Sequence, residues 1–394
     1  MVDNKDTICM LPWESFTVTM SNGFRPCCRF KTDQAVPFEK YDEEFATLRR
    51  NMLNGKKDPR CHKCWEEEAV PKDSMRTYAN RIHDLESKRE HLTEKFRKPV
   101  FIEFSLDNVC NLECRMCSSS FSSKLLKRDL WLEKNHKDLE GFNADKIAKS
   151  RYETLKNLNI DWSELRFIKL LGGEPFLSPN FLDFLYFLDM RTDISKIQLE
   201  IITNCTTKMS EEVIEILNEF KFIELFGSFD GLPKMSMYQR QGSDWYSCFD
   251  NYLEYGEKLK TRSMNVHQTF SVINVSHVDE SIAFYEKHSD MNSWSYDEYN
   301  FSFMNSPDWF EDWVLSRNDN QKLRKIFKNR KYDHIKWHRL LHTIKTFDEY
   351  YGTSLENANS ELAKQLKINS KKYIDAHKRP STRDCYYCDL IDEM

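Results

Sequence analysis

The sequence predicts an α/β protein: a parallel sheet, with a small cysteine-rich hairpin region before it and a mainly helical extension after it. Three observations predict this. Strand-like and helix-like stretches alternate through six repeats between residues 100 and 307, a pattern that implies parallel strands joined by helical crossovers. An Asn-Gly turn separates two strand-like runs near the N-terminus. Beyond residue 307 the strand pattern gives way to a helical one. The expected units are 1–80, 81–307 and 308–394.

The N-terminal region holds Cys9, Cys27, Cys28, Cys61 and Cys64. Glu14 to Met20 and Phe24 to Cys28 flank Ser21-Asn22-Gly23, which reads as a hairpin. A helix-like stretch from Glu43 to Leu53 stops at Asn54-Gly55. Cys61-His62-Lys63-Cys64 then supplies a C-x2-C knuckle. Such a knuckle suits a structural zinc ribbon as well as an iron–sulfur cluster. Cys28 is open as an alternative to Cys27, because neighbours on a strand face opposite ways.

Strands are expected at 100–107, 165–171, 197–204, 222–229, 266–274 and 300–305, with helices at about 118–134, 178–190, 210–220, 245–262 and 277–290. The helix after the third strand has Ser210 as N-cap and Glu211 and Glu212 in its first turn. Polar residues gather where the strands end. The first runs into Cys110-Asn-Leu-Glu-Cys114-Arg-Met-Cys117, and the second into Gly172-Gly173-Glu174-Pro175. The third ends at Asn204 with Cys205 next; the fourth ends Ser228-Phe229-Asp230-Gly231, with Arg240 following; the fifth ends at Asn274. Each strand end alone would suit a turn or a cap.

The cysteine loop is the chemical core of the reading. Three thiolates on a C-x3-C-x2-C loop can hold three irons of a cubane cluster and leave the fourth iron without a protein ligand. Three free thiols, or zinc completed by a distant residue, are the bland alternatives. Paired glycines let the backbone approach a ligand, and the Glu174 carboxylate can receive an amine.

With these motifs in this order, the chain resembles the radical S-adenosylmethionine enzymes. The resemblance implies a partial (β/α)6 barrel with its site at the strand C-terminal ends. It implies a 4Fe-4S cluster on Cys110, Cys114 and Cys117, whose open iron is chelated by S-adenosylmethionine. Met116, Gly172, Gly173, Glu174, Asn204, Ser228, Asp230, Arg240 and Asn274 would then contact that cofactor. Relatives often have glycine where this chain has Cys205. The layout Cys9 … Cys27-Cys28 … Cys61-x2-Cys64 resembles a twitch module, half of a SPASM domain, which usually follows the barrel and here precedes it. Arg115-Met116 and Ser74-Met75-Arg76 are similar to motifs of an N-terminal-twitch branch. That resemblance implies an auxiliary 4Fe-4S cluster on Cys9, Cys27, Cys61 and Cys64, with zinc as the alternative, and an external electron donor of flavodoxin or ferredoxin type. It makes a peptide or protein the leading substrate and a sugar or aminocyclitol the second. A reading from another class is a non-enzymatic iron–sulfur or zinc protein for binding or redox sensing.

In the extension, residues 322–345 are rich in Lys and Arg, with His334, His338 and His342 at helical spacing; a solvated basic face beside an apolar one accounts for this. Cys385-x2-Cys388 is a second pair too small to complete a site, and Cys205 and Cys248 read as small buried apolar residues. The 394 residues carry 58 Lys and Arg against 63 Asp and Glu, a net charge of −5. That balance supplies no general attraction to nucleic acid or acidic membranes. No run approaches the length of a membrane span, and the first residues lack a secretory pattern. A cytoplasmic oxidoreductase, with no membrane or nucleic-acid partner, is the expectation.

Overall fold

The computed structural model describes residues 7–19, 22–32, 36–68, 74–136, 150–260, 262–270, 273–274, 277–287, 301–303, 334–364 and 366–367. Its core is one sheet built from β1 (Ser15–Val18), β2 (Phe24–Arg25), β3 (Phe101–Ser105), β5 (Phe167–Leu171), β6 (Gln198–Thr203), β7 (Phe222–Ser228), β9 (Arg262–Phe270) and β10 (Phe301–Phe303), in the order β10-β9-β7-β6-β5-β3-β1-β2. A two-stranded ladder, β4 (Glu113–Cys114) with β8 (Arg240–Gln241), lies apart from it. Every pairing in the main sheet except β1 with β2 is parallel. Among the parallel strands each lies beside its predecessor, β3 joining β1 on the side away from β2, so their winding never reverses. Crossovers of one hand then cover one face of the sheet and leave the other to side chains alone.

The apolar halves of the strands define the covered face. Ile102, Phe104, Ile168, Leu170, Leu199, Ile201, Ile223 and Leu225 are all buried, and Phe104 meets Phe184 of the Phe181–Arg191 helix at 5.1 Å between ring centroids. The helix starts follow ordinary capping chemistry: Ser210 accepts from the Val213 amide, and Asp244 from that of Tyr246.

The structure corrects the sequence reading in three places. The hairpin forms, but β1 also pairs in parallel with β3, so among the described residues the sheet has seven parallel strands rather than six. The reason lies in Ser15–Val18, which is buried on both faces as a parallel strand must be. The fifth expected strand is shifted to Arg262–Phe270, leaving Asn274 beyond its end. The helix expected from 118 begins at Leu126, after a short 3-10 turn, because the preceding backbone is tied to the cysteine loop: Ser123 N–H donates to the Asn108 carbonyl at 2.7 Å. Residues 322–333 of the basic 322–345 stretch, the side chains of His334 and His338, and the Cys385–Cys388 pair lie outside the described residues. Within them, no helix is long and apolar enough to cross a membrane.

Candidate active site at the strand ends

The loop after β3 is anchored before its first cysteine. Asp107 accepts from the Val109 amide at 2.9 Å and from the Ser178 hydroxyl at 2.5 Å, and the Asn108 side chain donates to the Ser119 carbonyl. Cys114 is held from both sides: β4 pairs it with Arg240 of β8, and the buried Arg128 guanidinium donates to the carbonyls of Cys114 (3.1 Å) and Cys117 (2.5 Å). Arg115 turns the other way, stacking over the Tyr238 ring at 3.9 Å and pairing with Asp348 at 2.6 Å. Asp348 belongs to the His334–Tyr351 helix, so the C-terminal region buttresses the cysteine loop. Met116 packs against the apolar cluster of Met235, Tyr238, Ile273 and Leu341.

Gly172 and Gly173 both have positive φ, at +71° and +44°. A Cβ on Gly172 would stand 2.0 Å from the Ser105 hydroxyl, and one on Gly173 2.4 Å from the Val109 carbonyl. The two glycines therefore allow the second strand-end turn to close onto the cysteine loop, where Glu174 N–H donates to that same carbonyl at 2.7 Å. The Glu174 carboxylate is 1 % exposed; it accepts from the Thr203 hydroxyl at 2.7 Å and the Asn204 amide at 2.6 Å. Burial pushes its pKa up to about 7 against those hydrogen bonds. Asn204 in turn extends its side-chain amide to Cys110 Sγ at 3.8 Å and to Asn111 at 3.1 Å.

Asp230 is fully buried and pairs with Arg240 at 2.8 Å, while the Thr269 amide donates to its other oxygen at 2.7 Å. Burial opposes the Arg240 charge, but Asp230 and the Cys114 thiol overcome it and hold its pKa above the usual value. Asn274 braces this loop from behind by donating to the Asp230 carbonyl at 3.1 Å. Ser228 is buried at the end of β7, in register with His267. Burial, with Lys169 and Arg240 nearby, holds that histidine neutral, its pKa pushed down to about 3. Cys205 has φ +59°, a left-handed conformation that glycine adopts more easily.

Burial raises the pKa of Cys110, Cys114 and Cys117; Cys117 and Cys110 add to it at Cys114, and Cys110 at Cys117, which is pushed up to about 11. Cys9, Cys27, Cys61 and Cys64 converge separately, lining one cavity with Leu11, Met52 and Arg76. Burial raises these thiols too, and neighbouring cysteines add to it at Cys9, Cys27 and Cys61, bringing Cys61 to about 12. Loading a metal at either group would therefore release protons. Among the described residues, no three His, Cys, Asp or Glu side chains form a ready site for a metal ion. Cys28 does not line the cavity; its thiol lies within electrostatic reach of Glu103. Arg76 donates to the Ile8 carbonyl and pairs with Glu68 at 2.6 Å, bracing the cysteine cavity.

The sequence reading did not single out Arg128 or Asp348. Arg128 lies just past the loop, but its role shows only once the fold brings the His334–Tyr351 helix against it.

No family model matches the chain, and no curated protein does. Among solved structures the chain is similar to tagged anSMEcpe with bound AdoMet, at 18 % identity and TM-score 0.37, over 64 % of this chain and 59 % of that one. It is also similar to native anSMEcpe with bound AdoMet, at 15 % identity and TM-score 0.36, over 64 % and 62 %. A third is SuiB of Streptococcus suis bound to precursor peptide SuiA, at 15 % identity and TM-score 0.33, over 82 % and 65 %. The chain thus spans about three fifths of the length of the anSMEcpe chains it matches.

Proposed function

We propose that this chain is a radical S-adenosylmethionine enzyme acting on a peptide or protein. The observation that carries the reading is three cysteines on one loop, with the Asn204 amide beside Cys110 and the Arg240 guanidinium beside Cys114. Three such thiols match a 4Fe-4S cluster with one iron left for an outside ligand. When bound, the cluster and S-adenosylmethionine would supply an electron and a carbon-centred radical able to take hydrogen from a C–H bond.

The chain's own residues position and shield that chemistry. Cys110, Cys114 and Cys117 hold the cluster. Glu174 offers a buried carboxylate to an ammonium, and a cation brought against it would favour its charged form. The Gly172-Gly173 turn keeps Glu174 at the loop. Asn204 and Arg240 present an amide and a charge to the thiols, Asp230 orients Arg240, and Asn274 holds the Asp230 loop. Ser228 and Met116 are the remaining cofactor contacts of this reading. Arg128 fixes the carbonyls of two of the cysteines, so the loop is preorganised. Cys9, Cys27, Cys61 and Cys64 would hold an auxiliary 4Fe-4S cluster, with zinc as the alternative, and electrons would come from a flavodoxin- or ferredoxin-type donor.

The test is 5′-deoxyadenosine formation by anaerobically reconstituted protein given S-adenosylmethionine and a strong reductant. Formation that is lost in Cys114→Ala is the expected result. Equal formation in Cys114→Ala would overturn the assignment. No formation by protein holding its full iron would favour the redox-sensing reading.

A further inference from the structure

We infer that the sheet face turned away from the helices binds a cationic group of the substrate, an ammonium or guanidinium, through Thr17, Glu103, Lys169 and Glu200 with the Cys28 thiol beside them. The inference rests on the proposed function only in calling the ligand a substrate; the binding face stands on its own geometry.

Strand register places one polar side chain from each of five neighbouring strands in a single row. Thr17 pairs with Glu103, Glu103 with Lys169, Lys169 with Glu200, and Glu200 with Glu224. Paired residues on parallel strands project to the same side, opposite to their chain neighbours. Those neighbours, among them Phe16, Ile102, Ile168, Leu199 and Ile223, are the buried apolar residues of the helix-covered face. Parallel strands are ordinarily apolar on both faces. A line of charge across the middle of this one is costly unless it has partners.

Part of the row satisfies itself. Lys169 Nζ stands 2.5 Å from Glu200, and the Gln198 side chain donates to Glu224 at 2.9 Å. The Lys169 and Glu200 side chains remain 24 % and 21 % exposed, so the middle of the row is reachable. Three carboxylates, Glu103, Glu200 and Glu224, face the single ammonium of Lys169. Arg25, paired with Thr17 in the hairpin, is a further cation at the edge, and Arg29 near Cys28 is taken up by Glu67 at 3.0 Å. The balance stays negative.

Thr17 supplies the independent observation. It is 5 % exposed, yet its hydroxyl has no hydrogen-bond partner among the described residues. A buried polar group left so costs stability in the free protein. An N–H donor brought to Thr17 Oγ1 and the neighbouring Glu103 carboxylate would recover it, and a cationic donor makes the stronger bond. Cys28, half-buried, lies within electrostatic reach of Glu103 and Lys169. Its thiol is thus a built-in reporter on the row.

The test compares two methanethiosulfonate reagents, one carrying a trimethylammonium group and one a sulfonate. The Cys28 thiolate attacks the reagent's sulfur, a disulfide forms, and methanesulfinate leaves. Rates at Cys28 in the full-length protein are read by tandem mass spectrometry, which separates it from Cys27, and each is normalised to the reagent's rate with a small free thiol. The cationic reagent should react about tenfold or more faster at low salt. That preference should shrink in 1 M salt and in Glu200→Gln. Equal rates, a preference for the anion, a preference indifferent to salt and to Glu200→Gln, or a Cys28 inert to both reagents would each overturn the inference. Because no step reads S-adenosylmethionine cleavage, failure here and failure of the radical reading remain distinct.

Discussion

Cys114 and Arg240 face each other across the two-residue β4–β8 ladder, with Arg240 Nη1 4.0 Å from Cys114 Sγ. So short a ladder has little stability of its own; the Arg240–Asp230 pair at 2.8 Å holds it. A fixed positive charge beside cluster sulfurs raises a reduction potential and eases the electron's arrival. Arg240→Ala should therefore keep about four irons on the loop, lower that cluster's potential, and slow 5′-deoxyadenosine formation about tenfold or more, the worth of one charge-assisted contact. Spectroscopic redox titration beside product assays checks this. An unchanged potential would remove Arg240 from the role.

The two glycines of the second turn should behave differently from each other. A Cβ on Gly173 would meet a backbone carbonyl, that of Val109, whereas one on Gly172 would meet the Ser105 side chain. Both variants to alanine add left-handed backbone strain of about 1–3 kcal/mol. Only Gly172→Ala should be partly rescued by Ser105→Gly, which removes the colliding atoms. Thermal melting and iron content of the two single variants and of each combined with Ser105→Gly decide it; equal rescue of both variants would mean that the contacts are not limiting.

Glu14 sets an acid limit on stability. It is 1 % exposed and lies 2.8 Å from Lys88, 3.2 Å from His83 and 2.9 Å from Arg97. Burial alone would raise its pKa, but His83 and Lys88 overcome it and hold the carboxyl below 4.5. The folded state then binds fewer protons than the unfolded one between the two values. This contribution is present above pH 4.5 and is lost as pH falls through the folded value. Glu14→Gln should lower stability by about 3 kcal/mol at neutral pH and flatten the acid limb of a denaturant-measured profile. Parallel profiles for the two proteins would refute the assignment.

What the sequence disclosed and what it concealed have physical reasons. The cysteine loop and the strand-end turns are local patterns, so Cys110, Glu174, Asn204 and Asp230 were visible without a fold. Period alone cannot say which strand β1 joins, because Ser15–Val18 is only four residues long and its alternation of Ser15 and Thr17 with Phe16 and Val18 suits a hairpin as well as a parallel strand. The β4–β8 ladder is shorter than any period. Arg115 meets Asp348 across more than two hundred residues, a contact no local pattern encodes. The charged row did leave a trace: Phe101-Ile102-Glu103, Phe167-Ile168-Lys169 and Phe222-Ile223-Glu224 repeat one arrangement, a charge two residues after an aromatic.

Adjacent cysteines make the N-terminal site testable with two substitutions. Cys27 lines the cavity shared with Cys9, Cys61 and Cys64, whereas Cys28 turns to Glu103. If the four thiols hold a cubane, reconstituted protein should carry about eight irons, and Cys27→Ala should fall toward about four. Cys28→Ala should keep all eight, because its loss opens no coordination position. The split also separates cluster from zinc: about four irons with one zinc in the parent protein, and loss of the zinc in Cys27→Ala alone, would make the site a zinc ribbon and leave the loop cluster intact. Iron lost from Cys28→Ala but not from Cys27→Ala would reverse the two residues' roles, and would also remove Cys28 as a reporter on the charged row. Metal analysis of three proteins prepared in parallel therefore tests the cavity, the ligand and the orientation of the hairpin end together.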